Sequence, residues 1–356
     1  MHLERLECHG FRCLNDLNFE PAPGVNILRG ENAQGKTSVL ETILFAATSK
    51  SHRTSLETEL AAHGGDAFRI GLQVVRVDRP VTIEVNWWRG EKRVKVNGVP
   101  QTRLSDALGK VRVVFFSPED IALVKGSAAV RRKFLDMELS QLLPGYLSAL
   151  QNYRLVLRQR NELLRAHKPD VDQLDAWDHQ LVTHGQTLIA ERTAFVHELG
   201  QTASAVYATI ADGESLRLEY KPNTEAAELI HALATSRESD LRRRQTSHGP
   251  HRDDLEFTIA DSPARSIASQ GQQKSAALAV KLAELELVKD RTGEYPILLL
   301  DEVLAELDAK RSEHLFDAID PDVQCILTTT DVNPSAGVPQ RGATNFQIVH
   351  GSLEIR

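Results

Sequence analysis

Hydrophobic and polar positions divide the chain into three regions of different period. Between residues 2 and 116 apolar residues alternate with polar ones or form short runs. That pattern predicts strands at 2–7, 16–20, 25–28, 68–78, 81–88, 92–96 and 111–116. Asn97-Gly98 follows the sixth of these and is a type I′ turn signal. Residues 37–44 read as a helix, and 61–66 as a small, Gly-containing loop. From about residue 127 to 241 the apolar spacing becomes helical, over 128–139, 145–167, 173–211 and 225–235. A strand-like stretch at 216–220 interrupts it. No heptad is sustained, so a long coiled coil is not expected. After residue 254 strands return at 255–259 and 296–300, flanking a helix at 272–289. The expected fold class is therefore α/β. A mixed-sheet domain is formed by 1–126 and 246–356, with a helical domain, 127–245, inserted.

The junction between the strand at 25–28 and the helix at 37–44 reads Gly30-Glu31-Asn32-Ala33-Gln34-Gly35-Lys36-Thr37. This fits the phosphate-loop pattern G-x-x-x-x-G-K-[S/T]. Glycine lets the backbone turn its N–H groups inward around a phosphate. The helix that follows presents its positive end to the same anion. Lys36 is then placed for the β- and γ-phosphates of ATP, and the Thr37 hydroxyl for Mg²⁺. A Gly-bearing turn can meet the pattern by chance, but here strand, loop and helix occur together.

The second chemical signal is Pro296-Ile297-Leu298-Leu299-Leu300-Asp301-Glu302. A buried strand delivers two carboxylates at its C-terminal end, where ligands bind in an open parallel sheet. Alone it is equally a core strand ending in an acidic turn. Beside a phosphate loop, Asp301 becomes a Mg²⁺ ligand and Glu302 the group that polarises the attacking water. Lys36, Asp301 and Glu302 are the candidate catalytic residues.

Composition narrows the class. With 41% hydrophobic and 26% charged residues the chain is globular. It has no apolar run of membrane-spanning length, and its first residues lack signal-peptide blocks, so a cytoplasmic location is expected. Cys8, Cys13 and Cys325 do not have zinc spacing, and the histidines are scattered, so no metal beyond Mg²⁺ is expected. The net charge of −7 means that any nucleic-acid contact must use a local basic surface.

Ser269-Gln270-Gly271-Gln272-Gln273 and Val303-Leu304-Ala305-Glu306-Leu307-Asp308 resemble the signature motif and D-loop of ABC-type ATPases. The resemblance implies that Ser269, Gly271, Gln272 and the helix start behind them form a second anion site. Such a site caps a nucleotide held by another subunit, so that ATP lies in a two-fold dimer interface. The signature lies far beyond Lys36, and no His follows Thr328-Thr329-Thr330-Asp331. Both features resemble the SMC-like split-head class more than transporter ATPases.

Further stretches are similar to the RecF family, in family order. They are the phosphate loop, Ser51-His52-Arg53, Phe116-Ser117-Pro118-Glu119-Asp120, Arg131-Arg132-Lys133-Phe134-Leu135-Asp136, Gln159-Arg160-Asn161, Gly249-Pro250-His251-Arg252-Asp253-Asp254 and the signature. Membership would imply an ATP-dependent homodimer that binds duplex DNA near single-strand gaps. Its weak, DNA-stimulated ATP hydrolysis would release DNA, and RecO and RecR would be partners in loading RecA. Two departures stand out. Ser117-Pro118-Glu119-Asp120 occupies the place of the Gln-loop, and Thr330 or Asp331 would have to replace the switch His. A transport-energising subunit and a nucleotide-gated protein platform are the rival classes.

Several basic residues are candidates for DNA. Arg53 lies where SMC-type heads carry an arginine linking nucleotide to DNA, or is a surface arginine. Arg131, Arg132 and Lys133 form either a phosphate-contacting cluster or partners for Glu138, Asp136 or another subunit. Arg154, Arg158 and Arg165 fall near one helix face, and Arg242-Arg243-Arg244 is the densest basic run; a solvated face is the alternative for each. Nothing resembles a base-reading module, so contact through the backbone is expected.

Overall fold

The computed structural model describes residues 1–167, 170–211, 213–306, 309–330 and 342–355. Leu307 and Asp308 of the expected D-loop, and Asp331, lie outside them. Along the chain run β1 (His2–Phe11), β2 (Leu14–Phe19), β3 (Val25–Arg29), α1 (Lys36–Thr48), β4 (Ala67–Val75), β5 (Val81–Trp88), β6 (Glu91–Val96), β7 (Val99–Pro100) and β8 (Val113–Phe116). The helices α2 (Ala122–Lys125), α3 (Ala128–Leu142), α4 (Pro144–Arg165) and α5 (Val171–Ile210) follow, then β9 (Leu216–Lys221) and α6 (Leu229–Arg243). The last part is β10 (Asp254–Ile259), β11 (Ser262–Pro263), α7 (Gln270–Thr292), β12 (Ile297–Leu300), α8 (Ala309–Asp317), β13 (Cys325–Thr329), β14 (Thr344–Val349) and β15 (Ser352–Ile355). Residue contacts group 1–120, 206–213 and 277–356 into one unit, and 121–205 and 214–276 into another. The sequence-based boundaries were 126/127 and 245/246. Residues 254–259 group with the helical unit because β10 pairs with β9 and touches α3.

The first unit holds two six-stranded sheets. One is antiparallel, in the order β2-β1-β4-β5-β6-β7. Its strands alternate as the sequence pattern requires; β5 buries every second residue from Val81 to Trp87. Asn97 (φ 50°) and Gly98 (φ 75°) make the turn into β7 in the left-handed region. On the inner face Phe68 stacks on Trp87 at 5.4 Å and meets Phe11 edge-on at 5.2 Å. Each such pair adds about 0.5–1.5 kcal/mol beyond its burial. The other sheet has the order β15-β14-β3-β13-β12-β8, parallel from β14 to β8. β12 and β13 are buried at every position, which explains their unbroken apolar runs. Helix α1 touches strands of both sheets and is buried on nearly all sides. Helix α8 and the hairpin β14–β15 were not anticipated from sequence.

The second unit is held by buried ion pairs. Arg160 of α4 is fully buried; it donates to Asp178 at 2.5 Å, Asp240 at 2.9 Å and the Thr246 hydroxyl at 2.9 Å. Its neighbour Asn161 accepts from the Thr246 N–H at 2.8 Å. Arg192 of α5 donates to Asp136 at 2.8 Å, Asp253 at 3.1 Å and the Pro250 carbonyl at 2.7 Å. Asp136 also accepts from the Tyr146 hydroxyl at 2.6 Å, and Asp253 from Tyr220. The stretches at 131–136, 159–161 and 249–254 thus supply the frame of this unit. Replacing one member of a buried pair leaves its partners' charges uncompensated, at about 3–5 kcal/mol. We expect Arg160→Leu to lower the unfolding free energy by about that amount. Urea denaturation followed by tryptophan fluorescence measures it, and a loss below about 1 kcal/mol would remove the network as the unit's frame.

Candidate functional site

The phosphate loop closes as its glycines permit. Gly35 has φ 111° and Ala33 φ 64°. A Cβ on Gly30 would lie 2.6 Å from the Ile348 carbonyl oxygen, and one on Gly35 3.1 Å from the Cys13 sulfur. The C-terminal hairpin braces the loop further. Gly351 N–H donates to the Gln34 carbonyl at 3.0 Å, and His350 N–H to the Gln34 side chain at 2.7 Å. Lys36 is 3% exposed and folds back over the loop. Its ammonium donates to the carbonyls of Gly30 at 2.9 Å and Glu31 at 3.0 Å and lies 3.3 Å from Glu302.

Parallel register brings the second motif to the same place. Leu300 pairs with Leu327 and Phe116, and Thr329 with Arg29, so β3, β13, β12 and β8 end along one edge. There the Thr37 hydroxyl donates to Asp301 at 2.9 Å, and the Thr328 hydroxyl to the same oxygen at 2.8 Å. Thr328 in turn accepts from the Glu302 N–H at 2.8 Å, which holds Glu302 in a left-handed conformation, φ 51°. Burial raises the pKa of Asp301, and the charges of Glu302 and Glu119 push the same way; hydrogen bonds from Thr328 and Thr37 oppose them. A carboxylate so placed favours a cation. Its oxygen and the Thr37 hydroxyl are hard donors of the kind Mg²⁺ takes when phosphates and water complete its shell. Among the described residues no three His, Cys, Asp or Glu cluster as a protein-only metal cage.

A cavity of about 760 Å³ opens beside the loop, lined by Gly35, Lys36, Thr37, Glu302, Arg12 and Arg53 and by the 58–65 segment. Its volume is that of a cofactor site. Glu41 of α1, fully buried, organises its cationic wall. Arg12 grips Glu41 with two bonds, 2.9 and 3.0 Å, and donates to the Glu59 carbonyl at 2.8 Å. Arg53 lies 3.9 Å from Glu41 and stays half exposed at the rim. His52 between Ser51 and Arg53 packs on Phe115, and burial lowers its pKa to about 4, so it is neutral. Sequence reasoning missed Arg12, Glu41 and Thr328. Arg12 and Glu41 belong to no local motif; Thr328 opens the stretch at the switch position, where Thr330 and Asp331 were the candidates instead.

The other candidates separate. Ser269 is exposed; its hydroxyl accepts from the Gln272 N–H at 3.2 Å while the Gln272 side chain accepts from the Ser269 N–H at 2.8 Å. This is a capping box at the start of α7. Gly271 lies in the same first turn. Ser117 N–H donates to Asp120 at 2.8 Å, closing the turn that stands in the Gln-loop position. Arg131 is 3% exposed and grips Asp254 at 2.6 and 3.0 Å, so it is an internal ion pair and not a surface contact. The pairing alternatives from sequence were Glu138, Asp136 or another subunit; Asp254 comes instead from the distant strand β10. Arg132 is half-buried and donates to the Asp253 carbonyl at 2.6 Å. Lys133, Arg158 and Arg165 are exposed, as are Arg242, Arg243 and Arg244; Arg154 pairs with Asp136 at 2.7 Å and is half exposed.

Comparison with known proteins places this geometry. Residues 5–97 match a family described as AAA domain. A Pediococcus pentosaceus protein named DNA replication and repair protein RecF is 41% identical, covering 99% of this chain and 98% of its own. A Halalkalibacterium halodurans protein of the same name is also 41% identical, over 99% of each chain. The chain belongs to the RecF family. A solved structure described as the recombination mediator protein RecF-ATPrS in the RecFOR pathway shares the family fold at a TM-score of 0.91 and 32% identity, covering 99% of this chain and 98% of that one. An SMC head bound to the C-winged helix domain of ScpA, 16% identical, shares the fold at a TM-score of 0.60. The SMC-like α/β head expected from sequence is therefore present, and a second structure that it resembles, at a TM-score of 0.91 and 31% identity, is described as RecF-ATP. Among the described residues no helix is long and apolar enough to cross a membrane.

The brace on the phosphate loop is testable at Gly30. Gly30→Ala sets a methyl group against the Ile348 backbone, which cannot swing aside. We expect ATP affinity to fall about tenfold or more, about 1.4 kcal/mol. Titration with a fluorescent ATP analogue reads this, and wild-type affinity would show that β14 does not fix the loop.

Proposed function

We propose that the protein is an ATP-dependent DNA-binding protein of recombinational repair and replication-fork recovery. The observation that carries the ATPase part is the hydrogen bond from Thr37 to Asp301 across 264 positions of sequence. It joins the phosphate loop to the carboxylate pair in one cationic cavity. The repair role is supported by full-length similarity to proteins named for it.

In this reading ATP enters the cavity, and Thr37 and Asp301 would hold a Mg²⁺ ion that would supply neutralisation of phosphate charge. Lys36 exchanges the carbonyls of Gly30 and Glu31 for phosphate oxygens, and N–H groups from Gly30 to Thr37 complete the cradle. Lys36 then no longer neutralises Glu302, whose carboxylate is free to polarise a water. Arg12 and Arg53 face the remaining charge. Ser269, Gly271 and Gln272 of one protomer close the site of another, so ATP assembles a homodimer. The dimer grips duplex DNA beside gaps through phosphates, and slow, DNA-stimulated hydrolysis releases it. RecR and RecO act with it in loading RecA.

Glu302→Gln keeps the shape and removes the base. ATP binding should persist, hydrolysis should fall by at least about 100-fold, as for loss of a general base, and a dimer should accumulate. Sizing chromatography with ATP checks this; a monomer there would remove Glu302 from the role.

The dimer itself is tested at Ser269. Ser269→Asp keeps an oxygen to cap α7 and sets a negative charge toward the partner's phosphate. Monomeric ATP affinity should hold while dimerisation fails. Lys36→Met should lose ATP binding outright. Mixed together, the two variants form one site with both defects and one with neither, so dimer and up to about half the hydrolysis per dimer should return. Loss of monomeric ATP affinity in Ser269→Asp would put that residue in its own protomer's pocket.

A further inference from the structure

The second unit holds a cleft of about 210 Å³, less than a third of the 760 Å³ nucleotide cavity. That is small for a nucleotide and ample for a phosphate group. Arg132 and Lys133 of α3, Arg154 of α4 and Arg192 of α5 line it, with Asp136 the one carboxylate among them. Asp136 is already spent: Tyr146 and Arg192 donate to one oxygen, at 2.6 and 2.8 Å, and Arg154 to the other, at 2.7 Å. Asp253 and Asp254 behind them are likewise engaged by Arg192 and Arg131. Among the described residues Lys133 has no carboxylate partner.

The remaining wall adds no negative charge. Ala129 lines the cleft in the first turn of the fifteen-residue α3, and its N-cap residue, Ser127, makes no side-chain capping bond. The helix start therefore adds positive potential. Tyr153 donates to His251 Nδ1 at 2.7 Å, and His251 Nε2–H donates to the Thr246 carbonyl at 3.1 Å, so the ring is held neutral. Burial lowers its pKa to about 4, and the charges of Arg252, Arg132 and Arg160 push the same way. Arg132 is lowered too, by burial and then by Arg192. Leu150 and Leu157 form apolar walls, which strengthen an ionic contact by excluding water.

We propose that this cleft is an anion site for a phosphate group of DNA, with Lys133 and Arg154 as its accessible contacts and Arg132 and Arg192 behind them. The proposal rests on the DNA-binding reading above. The phosphate comes either from the duplex backbone or from a 5′ end at a gap, and the chemistry that binds them is the same. Arg131, Arg158 and Arg165 do not line the cleft.

The test uses the full chain with ATP and Mg²⁺ and two fluorescent gapped duplexes, one with a 5′ phosphate at the gap and one with a 5′ hydroxyl. Anisotropy is followed against NaCl for the wild type, Lys133→Gln and Arg154→Gln. Each variant should bind about fivefold more weakly at 0.15 M salt, and its log–log salt slope should be shallower by about one. Loss on both duplexes assigns a backbone phosphate; loss confined to the phosphorylated duplex assigns the terminal one. Arg154→Gln also breaks the pair with Asp136, so its urea midpoint is measured, and Lys133→Gln carries the decision if that midpoint falls. Wild-type affinity and slope in Lys133→Gln on both duplexes would overturn the proposal. A wild type that binds neither duplex would remove the DNA-binding reading, and the cleft's role with it.

Discussion

The site depends on the parallel pairing of Cys325–Thr329 between Val25–Arg29 and Ile297–Leu300. Parallel strands in register end at the same edge, so whatever follows each strand is gathered there. The phosphate loop follows the first, Asp301 and Glu302 follow the second, and Thr328 lies in the strand between. Thr328 does more than fill the gap. Its hydroxyl donates to Asp301 and accepts from the Glu302 backbone, so one side chain sets the positions of both carboxylates. A slip of one residue in this register would turn Thr328 to the opposite face and leave both carboxylates without that support.

The loop itself is held from two sides. The Ile348 backbone allows no side chain at Gly30, and the 350–351 turn bonds Gln34 twice. The charge of Lys36 is met by two carbonyls and by Glu302. Each of these partners is individually weak enough to exchange for a stronger one. The same contact neutralises Glu302. On the function proposed above, displacement of Lys36 by a phosphate would free Glu302 at the same moment and so couple water activation to ATP binding.

How much was legible follows from how local each signal is. The phosphate loop spans eight consecutive residues and announces itself; so does an apolar strand ending in two acids. The helices of the second unit were read from their period, because burying one stripe of a long helix forces that period. The β14–β15 hairpin was missed because β14 buries only Phe346 and Ile348 among its six residues. Arg12 and Glu41 were missed because neither has a defining neighbour in sequence. Arg12 adopts φ 55° at a strand end, and its carboxylate partner stands 29 positions away.

Arg131-Arg132-Lys133 shows what a charge run withholds. Successive helical residues point about 100° apart, so three in a row sweep about 200°, just over half the circumference. Arg131 points inward to Asp254, Arg132 lies at the boundary, and Lys133 faces solvent. One tripeptide therefore supplies a structural ion pair, an intermediate and a cation with no carboxylate partner among the described residues. Residue type could not order them, because which one turns inward is fixed by Asp254, 123 positions away. The same logic covers the neighbouring Asp136, which cancels cations from α4 and α5. Local positive potential in this unit is what remains after such pairings, and it cannot be counted from basic residues alone.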